Sequence, residues 1–324
     1  MYPLLFKPNL HSIVWGGHQL KGWKGMPKDN EPIGESWEIS AVPTSPSVIA
    51  NGEYAGQKLT DLVEKYPNEI LGKKNAEHYN NKMPLLVKFI DAERDLSIQV
   101  HPNDKMAQRE HGKLGKTEMW YVLDAKPGAY LYAGFKKQLT ADEYKTMVED
   151  GTICDALAKH EVKKGDVFFL PAGRVHAICG GILLAEVQQS SDVTYRIYDY
   201  KRLGMDGKPR ELHTELAAKA LDYNVYPEYR TLYTEEDNKA NVCIDSPFFT
   251  VSVINTECPM RRALKDKDSF VIVMCLKGDC RITINGTTEG IELKEGYSCL
   301  IPAEIADYNV APVNGKTQVL EAYV

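Results

Sequence analysis

Two segments of the chain share one spacing, and that repeat limits the fold more than any single motif does. In GDVFFLPAGRVH, Gly165 is followed after five residues by Pro171, then by Gly173 and His176. GYSCLIPAEIAD repeats the frame from Gly296 through Pro302, with Glu304 in the place of the second glycine and Asp307 in that of the histidine. A short apolar run between a glycine turn and a proline reads as a buried strand with a fixed end, because proline cannot extend a hydrogen-bonded ladder. Two such units imply two related β structures, only one of which carries the histidine.

The flanking segments agree. PLLVKFIDA and LSIQVHP surround a polar Glu-Arg-Asp turn, EMWYVLDA and AYLYAGF flank Lys-Pro-Gly, and DVFFLPAG and GILLAEVQQ follow. Strands at this density predict an antiparallel barrel or sandwich. A helical insertion over about 138–160 interrupts them: Thr140 and Glu143 have the spacing of a capping box, and Tyr144, Met147 and Val148 recur at helical intervals. Earlier, LTDLVEKY predicts a short helix capped by Thr60, with Leu62, Val63 and Tyr66 on one face. TELAAKALDYN predicts another, and strands resume from Phe248 to the end. The expected organisation is a first unit over 1–240 and a second, degenerate one over 241–324.

Charge and cysteine usage narrow the function. A formal net charge of −6 opposes binding to nucleic acid or an anionic membrane, which need a basic surface. The opening MYPLLFKPNLHSIVWGG lacks the basic and apolar regions of a signal peptide, and no apolar run approaches a membrane span. Seven cysteines without a CxxC spacing suit reduced thiols in the cytoplasm and no sulfur-ligated zinc.

The stretch SIQVHPND ends a strand with Gln99 and His101 two residues apart, hence on one face. Together with Glu118 and His176 they offer two imidazoles, a carboxylate and an amide oxygen from separate strands, a set that holds a divalent metal while leaving positions open. His11, His18, His78, His111, His160 and His213 lack such framing and read as surface or structural groups. The second unit has too few ligands, so one metal per chain is expected.

The polar-x-His pair, the later Glu and the G…P.G..H frame resemble the two signatures of cupin barrels, with Ala125 where the first usually closes on glycine, Gly180 where the second often has asparagine, and a long His101–Glu118 connection. The resemblance implies a mainly β fold: two cupin-type (jelly-roll) β-barrels with a helical insertion, the second barrel degenerate. More closely, IGESWEIS, PLLVKFIDA with LSIQVHPND, GKTEMWYVLDA, LPAGRVHAI and LLAEVQQSSDVTYRIYDYKR resemble class I mannose-6-phosphate isomerases of the short bacterial type. That resemblance implies a cytoplasmic, zinc-dependent aldose–ketose isomerase acting on a sugar phosphate through a cis-enediol. It puts Gln99, His101, Glu118 and His176 on the zinc ligands, and Lys88 with Ser97 on the phosphate.

It also implies active-site roles for Arg196, Lys116 and Glu186. Independently of the family, Ser97 precedes Gln99 by two residues and Lys116 precedes Glu118 by two, so each pair shares a face, and fixed cations suit a phosphate and an enediolate. Lys116 is favoured over Glu186 as the base, its pKa lowered by zinc and Arg196. Arg196 is the charge sink, and Lys201 and Arg202 have weaker cases. The competing classes are a cupin oxygenase, whose pocket would lack paired phosphate-binding cations, and a sugar-binding bicupin without turnover. No protein partner is implied.

Overall fold

The computed structural model describes residues 1–27, 29–288 and 290–324. Two strands, Leu85–Ala92 and Ile182–Gln189, have all their residues buried, as expected for adjacent central strands covered on both faces. They lie in a seven-stranded sheet ordered Arg230–Thr231, Val167–Leu170, Glu118–Ala125, Ile182–Gln189, Leu85–Ala92, Leu10–Gly17 and Ile33–Ile39. A five-stranded sheet faces it, ordered Tyr195–Tyr198, Ile98–Val100, His176–Ile178, Tyr130–Phe135 and Leu157–Glu161. Trp120, Val122, Ile90 and Leu184 from the first sheet meet Leu131, Ala133 and Ile178 from the second. Because side chains alternate, Val87, Phe89, Met119 and Ala185 point the other way, against Val251, Ile272, Met274 and Leu300 of the C-terminal half.

That half repeats the plan with a six-stranded and a four-stranded sheet, joined by a core of Val271, Val273, Ile301, Ile282, Tyr308 and Val310. The molecule is therefore mainly β, with four sheets stacked face to face and three apolar layers between them. The expected barrels are two-sheet sandwiches of jelly-roll type: among the described residues no ladder closes either one. The Glu-Arg-Asp and Lys-Pro-Gly connections carry the chain from one sheet to the other and do not make hairpins. Gly165 (φ 87°), Gly173 (φ 91°) and Gly296 (φ 82°) take left-handed backbone, which explains the repeated glycines.

The helix Ala141–Asp150 has the full Thr140–Glu143 capping box and packs Tyr144 and Val148 beneath the five-stranded sheet. The 3-10 turn Ile153–Ala156 continues the insertion, but its expected last part, Leu157–Glu161, is an edge strand of the five-stranded sheet; Thr214–Ala220 forms the helix expected at TELAAKALDYN. Thr60 does not cap its helix: Leu59–Lys65 starts two residues earlier than a Thr60 cap would place it, with Lys58 at the cap, and the Thr60 hydroxyl bonds Asp61. Strands resume at Arg230 and Lys239, before Phe248. We keep a division near residue 240 as a proposal, since Leu4–Leu5 pairs with Leu300 and Cys299 in the far sandwich. Lys24, buried, bonds both Glu38 and the Gly296 carbonyl across the two halves. Among the described residues no helix is long and apolar enough to cross a membrane.

Candidate metal centre

Polar groups inside a sandwich persist only with partners, so the buried polar residues of the seven-stranded sheet point to the site. His101, Glu118 and His176 are all buried, and their ligand atoms lie within 4.8 Å of one another. His176 Nε2 is 3.2 Å from Glu118 Oε1, and His101 Nε2 is 3.6 Å from Glu118 Oε2. His101 Nδ1 meets the Val193 carbonyl at 2.9 Å and His176 Nδ1 meets that of Arg174 at 2.8 Å. A carbonyl only accepts, so each Nδ1 carries the proton and each Nε2 presents its lone pair to the centre. Both Nε2 atoms are buried without a hydrogen-bond partner among the described residues.

Burial holds His176 down at about 4 and His101 well below the ordinary imidazole value, so both are neutral. Burial pushes the Glu118 carboxyl up to about 7, against the pull of Lys116, whose Nζ lies 2.9 Å from Oε2. Two neutral imidazoles and a carboxylate that desolvation disfavours as a bare ion fit a divalent metal ion. Gln99 is the cross-strand neighbour of His176 and lines the adjoining cavity.

One row across the sheet builds the rest. Trp37 pairs with Lys88, Lys88 with Glu186, and Glu186 with Trp120. Trp120 Nε1 donates to Glu186 Oε2 at 2.9 Å, while Oε1, buried and without a hydrogen bond, faces Lys88 Nζ at 3.4 Å. Lys88 Nζ also lies 3.6 Å from Glu35 Oε2 and 4.9 Å from the Trp37 ring centre. Burial opposes ionisation of Glu186, yet the Lys116 and Lys88 ammonium groups outweigh it and lower its pKa. For Lys116, burial lowers the pKa, while Glu118, Glu186 and Glu35 more than reverse this in the protein alone.

These residues open into a cavity of about 350 Å³ that brings together Lys88, Ser97, Gln99, Lys116, Glu186 and Arg196. Arg196 is the neighbour of Gln99 on the side away from His176 and donates Nη1 to the Glu211 carbonyl at 2.8 Å. Burial and then the charge of Arg210 lower its pKa. Lys201 does not line the cavity, and Arg202 turns to Asp199 and the Asp95 carbonyl. Of the unassigned histidines, His11 packs on Trp37 and His213 accepts from the Arg196 backbone N–H.

Sequence reasoning missed Glu35, Trp37 and Arg210. The first two are visible in retrospect as a polar and an aromatic residue two apart on IGESWEI, hence on one face. Arg210 lies in a connection between elements, where no periodicity marks it.

Comparison with known proteins is consistent across the chain. Residues 4–146 match the type I phosphomannose isomerase catalytic domain, and 238–324 the mannose-6-phosphate isomerase cupin domain. Mannose-6-phosphate isomerase ManA of Bacillus subtilis is 36% identical over 95% of both chains. The mannose-6-phosphate isomerase of Streptococcus mutans is 35% identical over 94% of both. The crystal structure of the Bacillus subtilis mannose 6-phosphate isomerase superposes with a TM-score of 0.89, at 31% identity and full coverage of both chains. A phosphomannose isomerase variant from Salmonella typhimurium, 17% identical, shares the fold with a TM-score of 0.81 over 100% of this chain and 99% of its own.

Proposed function

The chain belongs to the type I phosphomannose isomerase family, and from that premise we propose that it interconverts mannose 6-phosphate and fructose 6-phosphate with one zinc ion per chain. The observation that carries the reading is the buried His101–Glu118–His176 cluster, joined through the Glu118–Lys116 ion pair to a cavity lined by lysines and arginines. Among metals, zinc suits two imidazoles and one carboxylate, with Gln99 beside them as a further oxygen donor. When bound there, the metal would polarise the sugar oxygens as a Lewis acid.

The rest of the chemistry falls to the chain. Aldose–ketose isomerisation takes a proton from one of C1 and C2 and returns it to the other through a cis-enediol. We assign proton abstraction to Glu186, reversing the preference for Lys116. Glu186 is held in orientation by Trp120 and keeps Oε1 free of hydrogen bonds, whereas the Lys116 Nζ is engaged by Glu118 at 2.9 Å. Lys116 then supplies positive charge beside the reacting carbons. Arg196, next to Gln99, stabilises the enediolate, and Ser97 offers a hydroxyl in the same cavity. Lys88, between Glu35 and Glu186, lines that cavity with Ser97, and the pair is assigned to the phosphate.

This charged lining counts against an oxygenase pocket, and the free carboxylate oxygen counts against a binding protein without turnover. The test joins metal analysis of the purified protein to a coupled assay for fructose 6-phosphate formed from mannose 6-phosphate. Metal-dependent turnover is the expected result. Zinc-loaded protein that binds the sugar phosphate without isomerising it would overturn the proposal.

A further inference from the structure

We propose that Arg174 is a positioning residue of the metal centre: clamped on the rings of Tyr226 and Tyr229, it holds the loop that ties the three ligands together and so sets how tightly the metal binds. The inference rests on the metal reading above. The loop is 171–175, between the strands Val167–Leu170 and His176–Ile178. Its backbone reaches every ligand. The Arg174 carbonyl accepts from His176 Nδ1 at 2.8 Å, and the Gly173 N–H donates to the His101 carbonyl at 2.9 Å. The Ala172 N–H donates at 3.2 Å to the hydroxyl of Thr117, the residue before Glu118. A shift of this loop therefore moves the ligands relative to one another.

Those bonds use only backbone atoms at position 174, so they do not account for an arginine there. Its guanidinium carbon lies 4.6 Å from the Tyr226 ring centre and 4.8 Å from that of Tyr229, within the reach of a cation–π contact. The rings are themselves fixed. Tyr229, buried, donates its hydroxyl to the Phe135 carbonyl at 2.8 Å and accepts the Tyr226 N–H at 3.1 Å. Gly134 makes room for it, since a Cβ there would collide with the Tyr229 ring. The Tyr226 hydroxyl donates to Asp222 Oδ2 at 2.7 Å, and the Asp222 N–H donates to the Gly173 carbonyl at 2.8 Å.

The segment 222–229 thus grips the loop twice, through the Gly173 carbonyl and through the Arg174 side chain. Gly173 (φ 91°) permits the first grip: a Cβ there would stand 3.0 Å from the Ala220 carbonyl oxygen. Without the second, the loop keeps its backbone bonds but gains freedom, and the carbonyl that orients the His176 ring is held less firmly. Binding of the metal must then restore that order, which weakens it.

The test measures the zinc affinity of the metal-free full chain by competition with a chromophoric chelator. It compares the parent with Arg174→Ala, Arg174→Lys, Tyr226→Ala and the combined Arg174→Ala and Tyr226→Ala variant. Lys159→Ala is the control, because Lys159 Nζ stands 3.7 Å from the Tyr130 ring centre in a contact of the same kind, outside the loop. Arg174→Ala should raise the zinc dissociation constant roughly 10-fold, the lower end of the loss when a partner of a metal-bound histidine is removed. Arg174→Lys keeps a cation over the rings and recovers part of the affinity. Tyr226→Ala weakens zinc as well, and Arg174→Ala then adds less than it does in the parent, since both act through one contact. Lys159→Ala leaves the constant at the parent value. An unchanged constant in Arg174→Ala, or an equal rise in Lys159→Ala, overturns the inference, because a merely stabilising contact would lower the melting temperature and leave zinc affinity alone. Affinity is read without turnover, so the result stands whether or not the zinc-loaded parent isomerises the sugar phosphate; a parent that binds no zinc overturns both.

Discussion

Removing the metal should leave the fold standing and lower its melting temperature by only a few degrees. Backbone carbonyls of Val193 and Arg174 hold both imidazoles in the ligating tautomer, so their orientation does not depend on the metal. Four apolar clusters that do not include the ligands hold the sheets together. Metal at a thousandfold excess over its dissociation constant would stabilise the native state by about 4 kcal/mol. Unfolding entropy near 60 °C is about 2.1 cal/mol/K per residue, or ~0.7 kcal/mol/K over 324 residues, so the shift comes to ~6 °C. Differential scanning calorimetry with zinc and then with chelator measures it, and elemental analysis should give one metal per chain. Loss of the cooperative transition on chelation would refute the reasoning by making the metal structural, as in small zinc domains. So would two tightly bound metals, or metal retained after His101→Ala and His176→Ala are combined.

Three further outcomes are expected of the active site. Glu186→Gln should stop exchange of the C2 proton with solvent and reduce kcat about 100- to 10,000-fold while zinc stays bound. Lys116→Arg should retain exchange because it keeps the positive charge; exchange lost in Lys116→Arg but kept in Glu186→Gln would return the base to the lysine. Arg196→Ala should reduce kcat about 100- to 1000-fold with a smaller change in KM, and an effect on KM alone would reassign it to substrate binding.

The parts of the fold that periodicity controls could be read from the sequence. Leu85–Ala92 and Ile182–Gln189 are mainly apolar because both faces are covered, with Lys88 and Glu186 as the charged exceptions that mark the site, and Thr140 with Glu143 caps a helix through bonds three residues apart. Which strands pair was not readable: the turn after Ala92 looks like a hairpin, yet its strands join different sheets, because pairing is decided by contacts distant in sequence. The convergence of His101, Glu118 and His176 was readable because both signatures fix residue type and spacing together. Charge balance was not, since the pKa of Lys116 depends on Glu35 and Glu186, 81 and 70 positions away along the chain.

Strand register shows what stands in the second sandwich at the positions equivalent to the candidate metal centre. Glu118 pairs with Leu170, just before Pro171; Val271 pairs with Ile301, just before Pro302, and so occupies the place of the carboxylate ligand. Gln99 pairs with His176 as Ala263 pairs with Asp307. The acid survives: Trp120 faces Glu186 as Val273 faces Glu321. Where Lys88 sits beside Glu186, however, Ser252 sits beside Glu321. Arg262 now forks onto the buried Glu321 at 2.8 and 2.6 Å, and the Tyr308 hydroxyl donates to the same carboxylate. A site that kept its acid but lost its ligands thus closed around an internal ion pair. Arg262→Ala leaves Glu321 without its cation and should cost about 3–5 kcal/mol, a fall in melting temperature of ~4–7 °C at the entropy used above. Zinc content, kcat and KM should stay at parent values, because the first sandwich contains the whole proposed site. A loss of kcat without a change in melting temperature would show instead that the second sandwich takes part in turnover.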